Sequence, residues 1–205
     1  MDMNERNGSE DKRLREFAAL SEIAIANKIA AITLTVTCSI LTAAYVLEVA
    51  KGSRTVGYII ITALLAMIPV IAVWICYNAN KDSGVIKYIT AIGFTLLYTF
   101  LVFTAKNDLV FTYIILMLIV ITLYNDKKLT TMMGIAAVVE VIAAAVINLK
   151  NAEDAKAQLA TVEIQILLML LVVLYLIAVS GGTTKFQEIR MARLALEQNK
   201  ANEMT

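Results

Sequence analysis

The sequence predicts an all-α integral membrane protein: a six-helix bundle with both termini cytoplasmic and a juxtamembrane helix at its C-terminal end. Three observations predict this. Sixty per cent of the residues are hydrophobic and the mean hydropathy is +0.75, whereas a soluble domain is about half apolar. The apolar residues are gathered into six blocks, about 29–50, 56–77, 85–104, 109–124, 129–149 and 160–180, instead of alternating with polar ones. Most of the charges lie between and outside these blocks, although the net charge is only +1. Blocks of about twenty apolar residues cover a ~30 Å hydrocarbon core as helices, and a lipid-exposed open sheet would leave its backbone groups unpaired.

The chain divides into an N-terminal arm (1–28), a six-span domain (29–180) and a C-terminal segment (181–205). In the arm, Leu14, Phe17, Leu20 and Ala24 fall near one helical face and predict a short helix at the membrane surface. Lys and Arg are biased to one side. With the N-terminus inside, thirteen of the 18 fall on the cytoplasmic side and five, Lys51, Arg54, Lys106, Lys150 and Lys156, outside.

In the first block, Ala31, Thr35, Ser39 and Thr42 form a small, hydroxylated stripe at helical spacing. Pro69 should kink the second block by removing a backbone bond. The fourth block is short, sixteen residues, and follows "KND" (106–108). Asn107 and Asp108 there read as helix N-caps. With Tyr113 they also read as the polar rim of a small exterior pocket, because a short span starts recessed below its neighbours. The fifth block carries Glu140 close to its centre. An acid at that depth costs ~2.5–3.5 kcal/mol and normally faces protein. Ala136, Ala137, Ala143 and Ala144 surround it with a face that lets another helix approach. No Lys or Arg lies deep in another span, so a protonated, hydrogen-bonded acid is expected, with Ser39 and Thr35 as partners. That group is either a structural interhelix bond or a site sensing a ligand or proton. Connection 150–159 is rich in helix formers and should extend the fifth or sixth helix.

The chain leaves its last block through Gly181 and Gly182. These either end the helix, the simpler reading, or form a soft joint in it. Beyond them Ile189, Ala192, Leu196 and Asn199 follow a 3-4-3 spacing. This fits a coiled-coil seam or a short juxtamembrane helix, and the uncapped end at Thr205 reads as a truncation or a domain boundary.

Much chemistry is excluded. There is no histidine, and Cys38 and Cys76 lie inside apolar blocks without metal spacing. No phosphate-binding loop, dinucleotide fingerprint, metalloprotease helix, nucleophile elbow or nucleic-acid-binding basic patch occurs. No catalytic residue, metal or cofactor is therefore expected.

The stretch "NDLVFTYIILMLIVITLYNDKKL" (107–129), with its "VFTY" entry and "LY-D-KL" exit, resembles the fourth span of the six-transmembrane sensor module of bacterial methyl-accepting chemotaxis proteins. The segment "KFQEIRMARLALEQNKANEMT" (185–205) resembles the helix leading into that family's signalling coiled coil. A proline often follows "VFTY" in the family; here Ile114-Ile115-Leu116 stand in its place. The resemblance implies a non-enzymatic plasma-membrane input module whose exit, Gly181, Gly182, Ile189 and Leu196, passes a stimulus to a cytoplasmic signalling domain. It implies a homodimer or larger receptor array embedded in the lipid bilayer. Its cytoplasmic partners would be a chemotaxis histidine kinase and a coupling protein. Two alternatives stand beside it: the same module fronting a histidine kinase or diguanylate cyclase, and a small six-helix transport component that binds substrate for an uptake transporter.

Overall fold

A computed structural model describes residues 21–104, 108–151 and 155–203. The described residues are helical, with no strand among them. The helices are α1 (Glu22–Ala50), α2 (Val56–Ala79), α3 (Ile86–Thr104), α4 (Tyr113–Thr122), α5 (Lys127–Asn151) and α6 (Ala155–Glu203), with a 3₁₀ turn at Asp108–Thr112 before α4. Among the described residues five helices are long and apolar enough to cross a bilayer, and Leu109–Thr122 is a shorter apolar segment. Their outward faces carry large apolar side chains such as Ile40, Ile68, Ile75 and Leu174, each 63% exposed. Water would penalise such faces and hydrocarbon would not. This is the architecture of a multi-pass membrane protein.

Local chemistry sets the helix ends. The Ser21 hydroxyl accepts from the Ala24 amide at 3.1 Å, and the Thr55 hydroxyl accepts from the Tyr58 amide at 3.4 Å. These are N-caps for α1 and α2. The first turn after α1 needs a left-handed residue, and Gly52 supplies it with φ of +73°. Between α4 and α5, Asn125 takes φ of +51°, which Asn tolerates better than most residues. The Asp126 carboxylate then accepts from the Leu129 amide at 3.0 Å and starts α5.

The described residues form two compact units, one ending at Phe94 and one beginning at Thr95, with the boundary inside α3. In the first, α1 packs on α2. Leu34, Cys38, Leu41 and Tyr45 of α1 and Ala66, Val70, Val73 and Tyr77 of α2 are buried at three- and four-residue spacing, the period of a helix face. Pro69 lies inside a continuous α2, and the chain of Gly93 passes it so closely that a Cβ there would meet the Pro69 Cβ at 2.2 Å. In the second, α5 packs on α6, and Gly134 makes the close approach. A Cβ at Gly134 would stand 2.6 Å from Val173 Cγ1.

Three expectations are corrected. The first helix begins at Glu22, seven residues before the apolar block, because Ser21 caps it and Ala24, Ala26 and Asn27 are buried. Asn27 donates both amide hydrogens, to the carbonyls of Lys81 (2.7 Å) and Ser83 (3.1 Å), and the Ser21 hydroxyl donates to Asp82. The rest of the predicted surface helix lies outside the described residues. The fourth block is not one α-helix capped by Asn107 or Asp108. Asp108 opens the 3₁₀ turn, and the position before α4 is Thr112, which makes no capping hydrogen bond; Asn107 lies outside the described residues. A 3₁₀ turn rises about 2.0 Å per residue, so turn plus helix extend about 25 Å. Finally, Gly181 and Gly182 do not end a helix. They lie within α6, and neither adopts the positive φ that a helix stop needs. The Thr183 and Thr184 hydroxyls donate back to the Ser180 carbonyl at 3.0 and 2.9 Å, and the helix-forming residues beyond carry α6 onward.

Candidate functional site

Glu140 lies on the packed side of α5. Ala137, Val141 and Ala144 beside it are buried, Ala136 and Ala143 are half-buried, and Ile135, Val139 and Ile142 face outward. The small side chains let a neighbouring helix come near the carboxyl, as the alanine spacing implied. The hydroxyl that meets it is that of Thr99 on α3, with Thr99 Oγ1 2.7 Å from Glu140 Oε1.

Thr99 Oγ1 is also 2.8 Å from the Thr95 carbonyl oxygen. A hydroxyl has one proton, and a carbonyl oxygen can only accept. The pair is therefore met either by one proton shared between two acceptors or by a protonated carboxyl donating to Thr99. The second oxygen, Glu140 Oε2, is buried and has no hydrogen-bond partner. An ionised carboxylate with a buried, unmet oxygen is the costlier arrangement.

Thr99 is held in place by its surroundings. Its neighbour Tyr98 is fully buried, and the Tyr98 hydroxyl reaches the Phe111 carbonyl at 3.5 Å, the outer limit of a hydrogen bond. Phe111 belongs to the 3₁₀ turn, where Val110 and Phe111 are buried and the Thr112 hydroxyl donates to the Leu109 carbonyl at 2.7 Å. The "VFTY" entry thus anchors on α3 one residue from the partner of Glu140.

The residues expected to join Glu140 have other engagements. Thr35 donates to the Ala31 carbonyl at 2.7 Å and accepts from Trp74 Nε1 at 2.9 Å. Ser39 is exposed, and Thr42 donates to the Cys38 carbonyl at 2.8 Å. This stripe and Glu140 belong to different units. Of the exterior-rim residues, Tyr113 is the half-buried first residue of α4 and Asp108 opens the turn. At the exit, Gly181 and Gly182 are half-buried within α6, Ile189 is 52% exposed, and Leu196 lies on the same helix.

Against this geometry, no protein-family model, curated protein or solved structure matches the chain. The site's chemistry therefore rests on its own residues. Among the described residues no cluster of three or more His, Cys, Asp or Glu could hold a metal ion. Glu140 and Thr99 can exchange hydrogen-bond partners, and the carboxyl is the member of the pair that can hold or release a proton.

Sequence reasoning missed Thr99. It sits in "YITAIGFTLLYTF" (88–100) with Thr95 about one turn and Thr90 about two and a half turns away, and nothing in that spacing singles it out.

Proposed function

We propose that the chain is the membrane input module of a methyl-accepting chemotaxis transducer, with no enzymatic activity of its own. The observation that carries the reading is α6. Its apolar stretch, Gln158–Phe186, continues without a break into the charged segment ending at Glu203. A displacement or rotation of the last span would therefore reach Ile189 and Leu196 through continuous helix. A transport component has little need for such a charged, heptad-spaced extension.

In this reading the protein lies in the plasma membrane with both termini cytoplasmic and pairs through the α6 extension as a homodimer. A signalling domain beyond that extension engages a chemotaxis kinase and its coupling protein. Glu140 is the sensing element. Its unmet Oε2 would gain from an arrangement that supplies a partner, and a stimulus that binds two such arrangements unequally would shift between them.

Single cysteines at Ile189 and Leu196 test the pairing in native membranes. Disulfide dimers at both positions support it; monomers at both contradict it. Reading the coding sequence past Thr205 tests the output. A long heptad-rich continuation supports a transducer, and an immediate stop codon contradicts it.

A further inference from the structure

A groove of about 460 Å³ lies where the α4–α5 connection meets α6, lined by Leu123, Asn125, Val179, Thr183, Phe186 and Arg190 among others. All belong to the second unit. The walls change character along α6. Val179 closes the uninterrupted apolar run of α6, and Thr183, Phe186 and Arg190 follow it on successive turns, Arg190 one turn, about 6 Å, beyond Phe186. Leu123 continues the apolar wall from the opposite side, and Asn125 places an amide near the polar end. A lipid has this same succession, acyl chain below and headgroup above.

The charge at the polar end selects the headgroup. Arg190 has no ion-pair partner among the described residues, and its guanidinium offers up to five donors to phosphate oxygens. The Thr183 hydroxyl directs its proton to the Val179 and Ser180 carbonyls, both at 3.0 Å, which leaves its oxygen only as an acceptor. The Lys and Arg asymmetry puts this rim on the cytoplasmic side, where anionic lipid is concentrated. Phe186, 74% exposed, is a large apolar ring on the groove wall one turn before Arg190.

We propose that this groove is a binding site for one anionic phospholipid of the cytoplasmic leaflet, its phosphate on Arg190 and its acyl chain along Val179, Leu123 and Phe186. Occupancy ties the α4–α5 connection to the part of α6 that leaves the membrane. Lipid composition would then bias the exit helix independently of Glu140. The inference rests on the proposed reading of α6 as a membrane span with its exit on the cytoplasmic side, and not on the identity of any output domain.

The test reconstitutes the whole chain carrying Phe186→Trp in bilayers of phosphatidylcholine with a minor share of brominated phosphatidylglycerol or brominated phosphatidylcholine. The parent chain supplies the background from Trp74. Fluorescence quenching should show about five-fold stronger association of the anionic lipid, the effect of one basic residue at the surface. Arg190→Gln should abolish that preference, while Arg193→Gln, an equal change in net charge three residues further on, should retain it. Water-soluble glycerol phosphate should not compete, because it lacks the chain. Equal quenching by both lipids would overturn the proposal. Equal loss in the two arginine variants would also overturn it, since it would indicate a diffuse surface attraction. So would competition by glycerol phosphate, which would mark a phosphate site. As a check independent of Phe186, native mass spectrometry of the parent chain should retain one anionic lipid that Arg190→Gln loses; retention unchanged by that substitution contradicts the site.

Discussion

The two units treat their buried polar groups differently. In the first, Asn27 is fully buried with both amide hydrogens bonded to the α2–α3 connection, and Trp74 and Thr35 satisfy each other across α1 and α2. Thr90 is the hydroxyl exception there. In the second, an acid has one oxygen unmet, the hydroxyl facing it has two acceptors for one proton, and the buried Ser180 hydroxyl beside the glycine pair has no partner. Satisfied networks fix a single arrangement, whereas an unmet buried group gains from any rearrangement that supplies it a partner. The first unit reads as scaffold and the second as the part able to change.

Breaking the scaffold should have the largest effect. Asn27→Leu leaves the Lys81 and Ser83 carbonyls without their buried donor and should cost about 3 kcal/mol, read as a lowered thermal midpoint in detergent. A midpoint within error of the parent would show that the clamp holds nothing. Next comes the α5–α6 contact. Gly134→Ala drives a Cβ into Val173 and should destabilise by about 1–3 kcal/mol. Adding Val173→Ala should recover much of the loss; if the double variant is worse than the single, the close approach is not the cause.

The glycine pair should act in the opposite direction. No atom lies within 4 Å of a Cβ built at Gly181 or Gly182, so alanine fits and should stabilise α6 by about 0.5–1 kcal/mol at each position. Slower amide hydrogen exchange across 181–186 would register it, and unchanged exchange would mean the pair is no soft joint. The smallest effect on stability belongs to Glu140→Gln. A glutamine can donate to Thr99 as a protonated acid would, so the change should stay under about 1 kcal/mol, and a larger loss in chemical unfolding would favour an ionised carboxylate.

The sequence carried these features unequally. Apolar blocks announced the helices because a span must be long and uncharged, and Glu140 stood out because its neighbours are so apolar. Its partner was hidden: hydroxyls recur in several helices, and helix rotation decides which one meets the acid. Within the second unit that choice fell on Thr99. The 3₁₀ entry to α4 was hidden too, since composition reports apolarity but not rise per residue. Gly181-Gly182 misled for another reason. Local propensity argues for an end there, and the strong helix formers on both sides override it.

The central claim is that partner exchange at Glu140 reaches the exit of α6. The direct measurement joins residues 1–205 in frame to a chemoreceptor signalling domain and compares kinase output for the parent, Glu140→Gln and Glu140→Ala. Membrane levels are matched, and the stability of Glu140→Gln is already bounded. The account predicts that Glu140→Gln shifts basal output and that Glu140→Ala shifts it further. Unchanged output in both variants would leave Glu140 a structural bond and would contradict the claim.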